Sequence, residues 1–348
     1  MKKINTKGAG VFFSCDASGK KMPQIFLHGI TKTFKVYERK KRGIITGAFF
    51  RNAKTVTALD GVGFEMDEGE MAGYIGPNGA GKSTTVKVIS GILTPEAGEC
   101  VIMGRVPWKR RAEHVAQIGV VFGQRSQLWW DVPAGDSFEM MRHIYNVPFE
   151  SFKQRLAELT DVLDAGGLVK TPVRQLSLGQ RMRCEIVASL LHRPKILFLD
   201  EPTIGLDAVS KLALREFLKN ENKKHGTTMI LTTHDMDDIK ALCSRVLVIG
   251  RGKILYDGAM PELAKRYAPL RRLRASAKSA PAEGEIMIDG ASSANFENGT
   301  LTVMFDPEKL KAHELVMRVS EKYSLNDIMI EEQNIDEIIA EMYREMNI

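Results

Sequence analysis

A chain of 348 residues, 44% hydrophobic and 26% charged, can bury a sizeable core and suits two domains or one large domain with an appendage. Its net charge of +6 is compatible with nucleic acid or anionic headgroups, but the basic excess is local rather than uniform. No run approaches the roughly 18 apolar residues of a membrane span, so no transmembrane helix is predicted.

Residues 1–22 are polar and Lys/Gly-rich and are expected to be disordered, with Met22 a candidate natural start. Val11-Phe12-Phe13-Ser14-Cys15, behind Met1-Lys2-Lys3, resembles a lipoprotein signal, but its apolar part is shorter than the about 7–15 residues an export signal needs. Cys15, Cys100, Cys184 and Cys243 form no C-x-x-C pair, so neither zinc nor a disulfide framework is implied, and reduced cytosolic thiols are expected. Ile25 and Leu27 begin a strand that leads to Phe34-Lys35-Val36-Tyr37. The basic insert 38–54 reads either as a solvated loop or as an amphipathic contact element near a membrane. Val56 to Met66 is a predicted strand, and Met71 to Ile75 a buried one.

Next comes Gly76-Pro77-Asn78-Gly79-Ala80-Gly81-Lys82-Ser83-Thr84, which matches G-x-x-x-x-G-K-[ST]. Glycines let backbone N–H groups turn inward as an anion-binding nest. Lys82 would place its charge on β- and γ-phosphates, and the Ser83 hydroxyl is a magnesium ligand. A buried strand before the loop and a helix after it, Thr85 to Ile89, turn the pattern into a nucleotide phosphate site.

Strands are predicted at Glu99–Met103 and at Ile118–Phe122, the latter running to Gln124. Residues 125–170 are mostly helical in pattern, with Trp129 and Trp130 near the start, where buried core and partner contact are both open readings. A helix follows Ser177-Leu178-Gly179-Gln180. Lys195–Leu199 and Thr227–Thr233 are the uninterrupted apolar strands of a parallel sheet. The expected fold is α/β, with a largely parallel sheet core, a helical subdomain over about 125–190 and a small C-terminal α/β domain.

Residues 259–284 read as a basic linker carrying Lys265, Arg266, Arg271, Arg272, Arg274 and Lys278. Beyond it, 285–348 is predicted to form the accessory domain: strands at Glu285–Asp289 and Leu301–Phe305, a turn at Asn298-Gly299, and a final helix with Ile335, Ile338, Ile339 and Met342 on one face. Asn334 and Glu337 would form its capping box.

Further site candidates stand in order along the chain. Asp200, ending an apolar strand, would hold Mg²⁺, and Glu201 is placed to polarise the attacking water as general base. Gln124 can sense metal and water with a neutral amide; His234 can contact the γ-phosphate and hold the nucleophile. Leu176 to Gln180 offers a hydroxyl, backbone N–H groups and a helix N-terminus, a second anion site.

The phosphate loop, Gln124, Leu176–Gln180, Asp200/Glu201, Gly205-Leu206-Asp207 and His234 together resemble the ATP-binding cassette subunits of ABC transporters, over Pro23 to about Gly258. The resemblance implies an ATPase using ATP and Mg²⁺, pairing head to tail with a second cassette, a second copy or a related chain. It also implies a multi-span membrane permease on a separate chain, the cytoplasmic face of the membrane as workplace, and no nucleic-acid partner. It assigns Ser177 and Gly179 to the partner's γ-phosphate, with Leu178 departing from the commoner glycine, and Phe34, with Tyr37 competing, to adenine stacking. The C-terminal domain and Ser126 to Asp131 resemble the ABC-2 class of bacterial exporters, and its viologen-exporter-like branch in particular. Two other functions compete: a soluble cassette ATPase acting on nucleic acid or ribosomes, and a nucleotide-gated binding module. Soluble cassette proteins usually carry two cassettes or a long coiled coil, and this chain has neither; Glu201 argues against a module that hydrolyses little.

Overall fold

The protein is described from a computed structural model, covering residues 22–38, 52–123, 125–233, 235–267, 269–277, 284–332 and 335–346. The chain divides into two compact units, 1–257 and 258–348. The predicted tail, 1–22, lies outside the described residues except for Met22, as does 39–51 of the insert.

The first unit runs β1 (Ile25–Glu38), β2 (Asn52–Met66), β3 (Met71–Ile75), α1 (Lys82–Ile89), β4 (Ala97–Ile102), α2 (Arg111–Val115), β5 (Ile118–Phe122), α3 (Ala134–Ile144), α4 (Phe149–Val162), α5 (Leu178–Leu190), β6 (Ile196–Asp200), α6 (Ala208–His225), β7 (Thr228–Thr232), α7 (Met236–Leu242), β8 (Arg245–Gly250) and β9 (Lys253–Ala259). Six strands form one sheet in the order β5-β6-β7-β3-β8-β9, with parallel pairing from β5 through β8. The middle strands are buried along their apolar length, at Ile196 to Leu199 and Met229 to Leu231. A separate antiparallel sheet, β2-β1-β4, pairs Ile25 with both Met66 and Ile102. Its inward residues Leu27, Leu59, Val62 and Phe64 join the core around Tyr74, Val86 and Phe198.

Helix boundaries follow local chemistry. Ser177 caps α5, accepting from the Gln180 N–H at 3.2 Å, while the Gln180 side chain accepts from the Ser177 N–H at 3.0 Å. Asp207 caps α6 by accepting from the Ser210 N–H at 2.8 Å, and Lys223, Lys224 and His225 in its last turn favour the negative end of the helix dipole.

The second unit contains α8 (Met260–Tyr267), β10 (Arg271–Ala277), β11 (Gly284–Glu285), β12 (Ser293–Glu297), β13 (Thr300–Phe305), α9 (Ala312–Lys322), β14 (Leu325–Glu332) and α10 (Ile335–Glu345). Its antiparallel sheet runs β11-β12-β13-β10-β14. The expected basic linker is therefore a correction: most of 259–284 is helix α8 and the inner strand β10. The arginines misled because they alternate with Leu273 and Ala275, which are buried under the helices. The strand expected at Glu285–Asp289 shrinks to Gly284–Glu285. Asn298 and Gly299, both left-handed, do turn β12 into β13. The expected capping box of Asn334 and Glu337 lies partly outside the described residues, because Asn334 does; the Glu337 carboxylate accepts from Arg272 Nη2 at 3.1 and 3.0 Å.

Candidate functional site

In a parallel sheet the carboxyl ends of the strands gather the loops that precede the helices. Here β3 delivers the glycine-rich loop, and β6 delivers Asp200 and Glu201. Gly81 enters α1 with φ 115°, and a Cβ there would stand 2.7 Å from the Ala58 carbonyl, so a side chain would break the turn. The first helical residue is thus Lys82, so a helix N-terminus, which favours an anion, begins directly at the end of the loop.

One cavity of about 380 Å³ lies over this helix end. Pro77, Asn78, Gly79, Gly81, Lys82, Ser83 and Thr84 line it, together with Ala58, Lys87, Phe122, Gly123, Arg125, Asp200 and Glu201. Gly76 and Ala80, also expected at the site, support the loop from behind and are not in the wall. The Lys82 ammonium donates to the Gly76 carbonyl at 2.5 Å and to that of Pro77 at 3.2 Å. Burial lowers its pKa, while the charges of Asp200 and Glu201 act in the opposite sense.

The Ser83 hydroxyl lies 3.5 Å from Asp200 Oδ2, and Thr232 at the end of β7 donates its hydroxyl to Asp200 Oδ1. Asp200 is oriented from both sides. Glu201 follows with φ 55°, a left-handed conformation uncommon for a side-chain-bearing residue, and its N–H donates to the Thr232 carbonyl at 2.8 Å. The strained turn leaves its carboxylate in the cavity wall. Strain of this kind costs on the order of 1–3 kcal/mol and gathers at functional sites.

Ser177, Gly179 and Gln180 stand together at the start of α5 and are not part of the cavity wall. Phe34 is also absent from the wall; it sits on β1, paired with Val56, with the Lys32 ammonium 5.8 Å from its ring centre. Gln124 and His234 lie outside the described residues. Sequence reasoning missed Ala58, Lys87, Arg125 and Thr232. Arg125 carried a readable signal, a cation next to a predicted strand-end residue; Thr232 had only its place at the end of an apolar strand. Among the described residues no group of three or more His, Cys, Asp or Glu could hold a metal, and no helix is long and apolar enough to cross a membrane. Cys100, Cys184 and Cys243 are free and buried, and burial pushes their thiols up to about 12.

Residues 59–204 match the family model described as "ABC transporter". The chain is 33% identical over 210 residues to the linearmycin resistance ATP-binding protein LnrL of Bacillus subtilis (strain 168), covering 60% of this chain and 67% of that one. It is 32% identical over 210 residues to the ABC transporter ATP-binding protein NatA of the same organism, covering 60% and 85%. Among solved structures, a dimeric post-hydrolysis state of an ATP-binding cassette bound to ADP and Pi superposes with a TM-score of 0.59 at 25% identity, over 68% of this chain and 98% of that one.

Proposed function

The chain belongs to the ABC transporter family, as an ATP-binding and ATP-hydrolysing subunit, and from that premise we propose that it closes head to tail with a second cassette around two ATP to drive a separate multi-span permease. One observation carries the reading: a phosphate loop, its lysine and hydroxyl, and a strand-end carboxylate pair line a single cavity. In it the loop N–H groups and Lys82 bind the β- and γ-phosphates. Ser83 and Asp200 offer hard oxygens to Mg²⁺, which keeps several ligands from substrate and water and so needs no all-protein cage. Held there, Mg²⁺ would supply positive charge against the phosphate oxygens.

Glu201 accepts a proton from the attacking water as its oxygen bonds to the γ-phosphorus. The bond from that phosphorus to the β–γ bridging oxygen breaks, giving ADP and inorganic phosphate. Ser177 and Gly179, remote from their own chain's cavity, serve the γ-phosphate of the partner cassette. Gln124 and His234 complete the site, and Phe34 stacks on adenine. The fit to a family cassette bound to ADP and Pi as a dimer supports the pairing. Export, the ABC-2 class and its viologen-exporter-like branch are supported by the Ser126–Asp131 stretch, the C-terminal unit and a relative named for linearmycin resistance. The workplace is the cytoplasmic face of the membrane.

The Glu201→Gln variant tests the mechanism. It should bind ATP normally, hydrolyse it roughly 10²–10⁴-fold more slowly, and accumulate as an ATP-bound dimer in size-exclusion chromatography. Turnover within a few-fold of wild type would remove Glu201 as the base.

A further inference from the structure

The geometry points to Arg125 as a second catalytic cation of this ATP site, presented by its own chain to the γ-phosphoryl group. The inference rests on the cavity being the ATP site. Arg125 lines that cavity together with Lys82, Ser83, Asp200 and Glu201. Its place in the wall follows from the sheet. Strands β5 and β6 are neighbours with Phe122 opposite Asp200, and the Arg125 N–H donates to the Phe122 carbonyl at 3.2 Å. The chain therefore doubles back at the end of β5, and Arg125 stands on the carboxylate side of the cavity, where the bond is broken.

The backbone around Arg125 is held on both sides. Before it, Gly123 packs so closely on β6 that a Cβ would lie 2.8 Å from the Asp200 carbonyl. After it, Ser126 and Gln127 are bound to Glu185 of α5, a carboxylate only 3% exposed. The Ser126 hydroxyl donates to Glu185 Oε1, the Gln127 N–H donates to Oε2 at 3.1 Å, and the Gln127 side-chain amide donates to the Glu185 carbonyl at 3.0 Å. Burial raises the pKa of Glu185, and these hydrogen bonds act against that rise.

Arg125 is exposed and makes no ion pair or side-chain hydrogen bond among the described residues, although two carboxylates share its cavity. Such a group suits a phosphoryl anion. Its planar fork of donors matches phosphate oxygens, and it remains protonated throughout, so it neither takes nor gives a proton. As the bond to the bridging oxygen breaks, charge spreads over the phosphoryl oxygens, and a fixed cation there stabilises the transition state more than the ground state. Glu185 is a positioning residue: it holds the segment that carries Arg125.

The experiment uses the full chain as Arg125→Ala, Arg125→Lys, Glu185→Ala, Ser126→Ala and Lys82→Ala, with ATP affinity, steady-state and single-turnover hydrolysis, and melting temperature measured for each. Arg125→Ala should lose about 10²–10³-fold in kcat, with ATP affinity within about tenfold of wild type and an unchanged melting temperature. Arg125→Lys should fall between. Glu185→Ala and the milder Ser126→Ala should lower kcat by about tenfold at unchanged KM, since the cation is loosened and not removed. Hydrolysis by Arg125→Ala within three-fold of wild type, or a loss confined to affinity, would overturn the assignment. Unchanged kcat in a folded Glu185→Ala or Ser126→Ala would overturn the positioning role. If Lys82→Ala abolishes ATP binding while Arg125→Ala hydrolyses normally, only this inference fails. If Lys82→Ala binds ATP normally, the cavity reading fails with it.

Discussion

Thr203 donates its hydroxyl to Asp238 Oδ2 at 2.6 Å, and Thr233 donates to the same oxygen at 3.3 Å. Thr203 lies two residues beyond Glu201, and Thr233 directly precedes position 234, so one fully buried carboxylate on α7 ties together two strand-end segments that flank the chemistry. Its other oxygen accepts from Arg215 Nε at 2.6 Å. Asp238→Ala would leave the buried Thr203 hydroxyl without its acceptor and Arg215 with only Asp235, 3.4 Å away, and should cost about 3–5 kcal/mol in urea unfolding. Asp238→Asn keeps the acceptor and should cost about 1–3 kcal/mol, while lowering kcat with little change in KM. Wild-type stability in the alanine variant would mean that the network is not formed in solution.

Lys82→Ala should act on binding as well as on rate, because the ammonium meets phosphates in the ground state and the transition state alike. It is already partly desolvated at the loop, so ATP oxygens replace carbonyl contacts and not a full water shell. Titration calorimetry should show ATP affinity reduced at least about tenfold, with the fold intact by circular dichroism. An unchanged dissociation constant would remove the lysine from the site.

Acid should destabilise the first unit through His192. Its ring stacks on Tyr145 at 3.8 Å, Nε2 meets the Ile118 carbonyl at 2.9 Å, and Nδ1 is buried with no partner among the described residues. Protonating Nδ1 would bury an N–H with nothing to accept it, and burial pushes the pKa down from 6.5 to about 4. The unfolded chain thus binds the extra proton more readily between those values. Stability is fully present above pH 6.5 and is lost as the pH falls toward 4, with a limiting slope of about 1.4 kcal/mol per pH unit. Urea midpoints at pH 7.5 and 5.0 should converge in His192→Gln relative to wild type. An equal acid shift in both proteins would place the effect elsewhere.

Truncation distinguishes the two units. A chain ending at Asp257 should fold and bind ATP, since the first unit has its own core. A chain ending at residue 284 keeps β10 but removes β13 and β14, which pair with it on both sides. That fragment presents Leu273 and Ala275 on an uncovered strand and should aggregate. Equal solubility of the two fragments in sedimentation would argue that β10 is dispensable.

The legible parts of the sequence were those whose chemistry is local. Glycines followed by Lys82 and Ser83 can do little but cradle an anion, and an apolar strand ending in Asp200-Glu201 presents its carboxylates whatever surrounds it. Charges whose partners are distant in sequence were not legible. Arg155 on α4 is 1% exposed and gives Nη2 to Glu221 on α6 at 2.5 Å, a partner 66 residues along the chain that no local pattern names. Glu185 was hidden in the same way. For β10, alternation over seven residues offered only Leu273 and Ala275 as evidence against a run of arginines.

Trp129 and Trp130, open to either reading from sequence, are 38% and 52% exposed, whereas Leu128 beside them is buried. Their backbone is fixed: the Trp129 N–H donates to the Ser137 hydroxyl at 3.1 Å, and the Trp130 carbonyl accepts from the Arg174 N–H at 3.0 Å. The Arg181 guanidinium, on the helix that Ser177 caps, sits 5.9 Å from the Trp130 ring centre. A half-exposed ring with one such contact contributes about 1 kcal/mol to stability, well short of the about 3–5 kcal/mol lost when a fully buried ring is removed. Rigid backbone with outward rings is the arrangement of an interface anchor, where a few aromatics dominate binding energy. Trp130→Ala should therefore keep its melting temperature within a few degrees and retain basal ATPase, yet lose permease in co-purification from membranes. Trp129→Ala should do the same with a somewhat larger stability loss, because less of its ring is exposed. A fall in melting temperature large enough to match several kcal/mol, with the permease still bound, would return both rings to the interior of the helical region.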